Sequence, residues 1–351
     1  MMELSKLDAT AQAELVHSGA VSSRELVDAA LQRIAELDPS LGAVVGLDAR
    51  RARAQAESPQ KGRFAGVPFL AKDLLAQPEL RCAFGSRLFA SFVPPEASPY
   101  ARAIDATGLI TLGKTKSSEF GLLGSTETLL DGPTRNPWDL ARSAGGSSGG
   151  AAAAVAAGLV PMAHASDGGG SIRLPAALCG LFGFMPSRGR CRPVLPPSDL
   201  PDLTIEHCVS RSVRDSAGLL ADTERPDCEH GAVGFVEPAS LGPVRVGWST
   251  TSLMGESATV EGVAAVEHAA RLCASLGHHV EDAGPPPSVG REVSDAFFTI
   301  AGESIKRIVA MVEGTRGAPV VENELEPFTW ALLQWSRALP SGALGRALVR
   351  V

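Results

Sequence analysis

The chain has 351 residues, 44% of them apolar, enough to bury a large core in one large α/β domain or two smaller ones. Its 32 basic and 39 acidic residues leave a formal charge of −7, with no basic excess from which to build a nucleic-acid surface. No apolar stretch reaches membrane-spanning length, and Met1-Met2-Glu3-Leu4-Ser5-Lys6 lacks a basic region followed by an apolar one, so no membrane partner and a cytoplasmic location are expected.

The elements alternate between helix and strand. Ser22-Ser23-Arg24-Glu25 has capping-box spacing, and Leu26, Ala30, Leu31, Ile34 and Leu37 follow at helical intervals, which predicts an amphipathic helix. Gly66-Val67-Pro68-Phe69-Leu70-Ala71-Lys72-Asp73 reads as a buried strand carrying a lysine to its tip. Ser98-Pro99 opens a helix that Gly108 closes, and Leu109-Ile110-Thr111-Leu112 is a short strand. Ala151 to Ala157 predicts an alanine-rich helix whose N-terminal dipole faces Ser147 and Ser148. After Arg190 comes a Pro- and Asp-rich loop with Pro193, Pro196, Pro197, Asp199, Pro201 and Asp202. Val244 to Trp248, Val260 to Leu276 and His279-Val280 then read as a βαβ unit with parallel strands.

Two glycine-framed serines stand out, in Gly145-Gly146-Ser147-Ser148-Gly149-Gly150 and Asp167-Gly168-Gly169-Gly170-Ser171-Ile172-Arg173. Such turns aim several N–H groups at one point and leave a hydroxyl exposed, which suits a nucleophile beside an oxyanion hole. Two other motifs compete with that reading. Gly108 to Thr115 is a literal phosphate-loop pattern, but a helix precedes the first glycine and the apolar gap wants to be a strand. Gly145 to Gly149 matches the G-x-S-x-G nucleophile elbow, with His164, His207, His230, His268, His278 and His279 as conceivable bases. That elbow must follow a buried strand, whereas Arg135 to Ser143 is polar and broken by Pro137. The six cysteines, Cys82, Cys179, Cys191, Cys208, Cys228 and Cys273, contain no CxxC pair and read as reduced packing residues. No metal and no cofactor is expected.

Gly-Val-Pro-x-x-x-Lys-Asp around Lys72, Arg-Asn-Pro-Trp before the first serine loop, and Asp-x-Gly-Gly-Ser-Ile-Arg-x-Pro-Ala-x-x-Cys-Gly from Asp167 to Gly180 together resemble the amidase signature family. The resemblance covers about residues 5 to 335, and Gly113-Lys114-Thr115 looks like an ordinary strand end of that family. The Ser166 to Ser171 and Pro186 to Arg190 segments look most like its bacterial 6-aminohexanoate-cyclic-dimer hydrolase-like branch.

What the resemblance implies is amide hydrolysis through an acyl-enzyme on an amidase signature fold, a mixed central β-sheet with helices on both faces. Ser171 would be the nucleophile, Ser147 the bridging serine after a cis peptide, and Lys72 the base. A lysine at its usual pKa of about 10.4 is a poor base at neutral pH, and burial among Val67, Phe69 and Leu70 would correct this. The N–H groups of Gly168, Gly169, Gly170 and Ser171 would form the oxyanion hole, with Ser148, Ser166, Asp167 and Arg173 supporting it. Ala144 and Gly168 depart from common family residues, and family members continue beyond Val351, so the fold is expected to be incomplete at its C-terminus. One domain is expected, with a helical segment at about 1–60, a catalytic core at about 61–225 and the βαβ continuation at about 240–351. The expected partner is a small-molecule amide, with homodimerisation open. A catalytically silent homologue and a glutamine-hydrolysing amidotransferase subunit are the alternative readings.

Overall fold

The computed structural model describes residues 4–194, 198–229, 231–236, 242–287 and 289–350. Expectations resting on Pro196, Pro197 and His230 fall outside them. The chain divides into two compact units, Met1–Val236 with Val321–Thr329, and Glu237–Val320 with Trp330–Val351.

The first unit begins with α1 (Ala9–His17) and α2 (Ser23–Leu41). The capping box of α2 forms as expected: Ser22 Oγ accepts from the Glu25 N–H at 3.1 Å, and the Glu25 carboxylate accepts from the Ser22 N–H at 2.8 Å. Strand β1 (Val44–Val45), α3 (Ala49–Ala56), β2 (Pro68–Lys72), α4 (Pro99–Ala106) and β3 (Ile110–Thr115) follow. Two small hairpins come next, β4 (Glu127–Thr128) with β5 (Gly132–Pro133), and β6 (Arg135–Asn136) with β7 (Asp139–Ser143). Then come α5 (Gly149–Ala156), β8 (Met162–Asp167), α6 (Arg173–Cys179), β9 (Phe182–Gly183), β10 (Ile205–Ser210) and α7 (Val213–Thr223).

Six of these strands form one mixed sheet in the order β1-β3-β2-β8-β10-β9. The central trio β3, β2 and β8 is parallel, while β1, β10 and β9 run antiparallel to their neighbours. Every residue of β2, β3, β8 and β10 is buried, because helices cover both faces. Period-2 alternation sorts their side chains. Leu70, Ile110, Ala163 and Ala165 face a core shared with α2, α3 and α5, whereas Phe69, Ala71, Met162 and Cys208 face one shared with α1, α4 and α7. Within α5, Gly149 to Val155 are all buried, and small residues on every side let that helix run inside the layer.

The phosphate-loop pattern dissolves here, because Gly113-Lys114-Thr115 lies inside β3. Arg135 to Ser143 is a solvent-facing hairpin apart from the six-stranded sheet, as its polarity requires.

The second unit contains β11 (Arg245–Trp248), α8 (Val260–Ser275) and β12 (His279–Asp282), followed by α9 (Gly290–Arg316) and α11 (Ala343–Arg350), with α10 (Pro327–Arg337) beginning in the first unit. The expected βαβ pairing is parallel, Val246 opposite Val280, but it forms its own two-stranded sheet. Exposed Arg245 and Gly247 alternate along β11, a pattern unsuited to a strand buried on both faces. Among the described residues, no helix is long and apolar enough to cross a membrane.

Candidate active site

The carboxyl ends of parallel strands are where open α/β sheets place their ligands. At that edge β2 ends in Lys72 and β8 in Asp167. Lys72 is fully buried, and its Nζ donates to Ser147 Oγ at 2.7 Å and to Ser166 Oγ at 2.9 Å. Burial lowers its pKa from 10.5 to about 7, against the opposing pull of the Glu206 and Asp167 carboxylates.

The first serine loop connects β7 to α5 and contains a cis Gly146–Ser147 peptide. Its glycines are demanded by close backbone approach. A Cβ on Gly146 would stand 2.6 Å from Ser125 O, and one on Gly150 would stand 2.5 Å from Ala43 O and Lys116 N. Thr126 pins the loop from outside: its Oγ1 donates to Gly145 O at 2.9 Å and accepts from the Gly149 N–H at 3.1 Å. Ser148 Oγ donates to Ser166 O at 3.3 Å, tying the loop to β8.

The second serine loop wraps around Asp167. Its carboxylate accepts from the N–H groups of Gly170 at 2.6 Å and Ile172 at 3.1 Å, and pairs with both arms of the Arg173 guanidinium at 3.0 and 3.1 Å. Burial alone would raise the Asp167 pKa, but Arg173 and these N–H groups hold it below the usual carboxylate range. Ser171 does not cap α6; Ile172 occupies that position. Ser171 is half-buried, and its hydroxyl makes no hydrogen bond among the described residues.

The N–H groups of Gly168, Gly169 and Ser171 also have no acceptor among the described residues. Gly170 differs from expectation, because Asp167 Oδ1 already occupies its N–H, leaving three of the four anticipated donors. The structure therefore joins Lys72, Ser147, Ser148 and Ser166 by hydrogen bonds, with the Asp167–Arg173 pair following Ser166 at the end of β8 and Ser171 on the turn around that pair.

None of the described histidines is hydrogen-bonded to Ser147, Ser148 or Ser171. His207 Nε2 bonds Ser216 Oγ at 2.7 Å, and burial lowers its pKa to about 3. His164 instead accepts from the Lys72 backbone N–H through Nδ1 at 3.2 Å, and its Nε2 lies 2.7 Å from Glu206 Oε2. Thr126, Glu206 and this role of His164 were missed from sequence. The available signal was the polar side chains inside two short strands, His164, Ser166 and Asp167 in β8 and Glu206, His207 and Ser210 in β10. Buried polar groups require partners, and two in neighbouring strands can supply one another. Cys179 is fully buried and its Sγ reaches Ala144 O, a packing role as expected.

The Amidase family model matches residues 25–339. The 6-aminohexanoate-cyclic-dimer hydrolase of Paenarthrobacter ureafaciens is 37% identical over 342 residues, covering 93% of this chain and 69% of that protein. The solved structure of a 6-aminohexanoate cyclic dimer hydrolase complexed with substrate superimposes with a TM-score of 0.87 at 33% identity, covering 99% of this chain and 75% of that one. A bacterial aryl acylamidase of the amidase signature family superimposes at 0.86 with 27% identity, covering 98% and 75%. A buried lysine bonded to a glycine-framed serine, the mixed sheet that delivers the lysine, and these likenesses agree: the chain belongs to the amidase signature family of enzymes acting on amide C–N bonds.

Proposed function

We propose that this chain hydrolyses a small-molecule carboxylic amide, linear or cyclic, through an acyl-enzyme on Ser171, with Ser147 as relay and Lys72 as base. The observation carrying this reading is the 2.7 Å hydrogen bond from a fully buried Lys72 to Ser147 Oγ. At neutral pH a substantial fraction of such an amine is uncharged and can accept a proton.

The Ser171 hydroxyl oxygen attacks the carbonyl carbon as its proton passes to Ser147 and the Ser147 proton passes to Lys72. The carbonyl oxygen gains negative charge beside the Gly168, Gly169 and Ser171 N–H groups, where one donor is typically worth about 10² to 10³ in rate. Collapse breaks the C–N bond, and Lys72 returns the proton through Ser147 to the departing amine. Water then attacks the Ser171 ester through the same relay.

A fluorophosphonate probe tests the assignment. Wild type is expected to label, and Ser171→Ala, Ser147→Ala and Lys72→Ala to lose labelling while retaining their melting transitions. Labelling of Ser171→Ala at the wild-type rate would overturn the choice of nucleophile.

A further inference from the structure

Strands β2 and β8 share a single residue pair, Leu70 with Ala163. Beyond it, the Lys72 N–H finds no strand carbonyl and donates to His164 Nδ1 at 3.2 Å. Since a backbone N–H only donates, Nδ1 holds the lone pair, the ring proton resides on Nε2, and that N–H points at Glu206 Oε2 2.7 Å away. His164 is fully buried and Glu206 is 8% exposed. The Tyr100 ring packs against the imidazole at a centroid distance of 5.5 Å. Glu206 also sits opposite Ser166 across the β8–β10 register, and Ser166 Oγ accepts from Lys72 Nζ.

We propose that Glu206 and His164 form a positioning pair for Lys72, holding the backbone from which it projects and placing a buried negative charge beside its amine. His164 bonds the backbone end of the lysine, and the Glu206 carboxylate acts on the amine end through its charge. Neither residue contacts the reacting atoms, so both act through Lys72, and the proposal rests on the reading of Lys72 as base. The charges acting on this amine are those of Glu206 on β10 and Asp167 on β8, while those of Lys72 and Lys114 act on His164. Burial, reinforced by those two cations, keeps His164 below its ordinary pKa, though the Glu206 hydrogen bond and charge oppose the shift. A neutral imidazole is what the Lys72 N–H requires.

The readout is fluorophosphonate labelling rate against pH for wild type, Glu206→Gln, His164→Ala and His164→Asn, with thermal melting to establish folding. Glutamine keeps an acceptor for Nε2–H but removes the charge that favours protonated Lys72. The acid limb of Glu206→Gln should therefore move to lower pH by about half a unit or more, with its plateau within about twofold of wild type. His164→Ala removes the acceptor and should lower the plateau about tenfold or more. Asparagine, whose Oδ1 can stand where Nδ1 stood, should restore most of that loss.

An unmoved acid limb in Glu206→Gln, or a wild-type plateau in folded His164→Ala, would overturn the proposal. If His164→Ala does not fold, the Glu206→Gln limb still decides. Ser171→Ala and Lys72→Ala run beside them separate the two readings. Normal labelling of Lys72→Ala defeats the assignment of the base, and normal labelling of Ser171→Ala that of the nucleophile. Their silence, with wild-type behaviour in the pair variants, defeats the positioning pair alone.

Discussion

Replacing Lys72 by methionine should stabilise the protein at pH 7 while abolishing its labelling by a fluorophosphonate. The amine's pKa falls from 10.5 in the unfolded chain to about 7 in the fold, because burial penalises its charged form. At about 1.4 kcal/mol per unit, the folded state carries a penalty of about 5 kcal/mol below pH 7. Between pH 7 and 10.5 the unfolded chain binds more protons than the folded one, so wild-type stability rises with pH and the penalty is gone above that window. Methionine carries no such penalty. Its loss of the bonds to Ser147 and Ser166, about 1 kcal/mol each, does not vary with pH. Lys72→Met should therefore be about 2 kcal/mol more stable than wild type at pH 7, and this advantage should shrink by about 2 to 3 kcal/mol by pH 9. Lys114, which burial lowers to about 8, titrates in both proteins and cancels in the difference. Urea unfolding followed by far-ultraviolet circular dichroism at the two pH values measures the change. A gap that stays constant between pH 7 and pH 9 would refute the buried neutral amine.

The labelling rate of wild type should rise with pH through a midpoint near 7, since only uncharged Lys72 accepts a proton. A flat rate between pH 6 and 8 contradicts this. Thr126→Val removes the donor to Gly145 O and the acceptor of the Gly149 N–H, and should cost about 2 kcal/mol in chemical denaturation. An unchanged midpoint would show that the serine loop holds itself. Gly121→Ala places a Cβ 3.4 Å from Ser147 Oγ and 3.2 Å from Leu74 Cδ1 on a residue with φ of +73°; a destabilisation of about 1 to 2 kcal/mol and slower labelling are expected. A variant that matches wild type in both would show that the wall beside Ser147 yields. Gly150→Ala drives its Cβ to 2.5 Å from Ala43 O and Lys116 N and should lower stability by about 3 kcal/mol or prevent soluble expression. Wild-type melting of that variant would contradict the close approach.

Sequence alone determined the parts governed by short-range rules. The capping box of α2, the all-buried run ending at Lys72, the Ser98-Pro99 helix start and the polarity of Arg135 to Ser143 each follow from neighbouring residues, and each stands in the fold as read. The glycine-framed serines and the lysine were legible because those turns and that strand carry a distinctive order of residues. Tertiary structure decided what depends on residues far apart in the chain. Only the β2–β8–β10 arrangement joins His164 and Glu206 to Lys72, and only the fold brings Thr126 against the serine loop. It also turned Asp167 inward, where its charge captures the Gly170 N–H that sequence had assigned to the oxyanion hole. The pairing of β11 with β12 in a sheet of their own was likewise decided only in the tertiary structure. Local propensity selects the elements and their chemistry; which polar groups satisfy one another is settled when burial removes water and obliges each to find a partner.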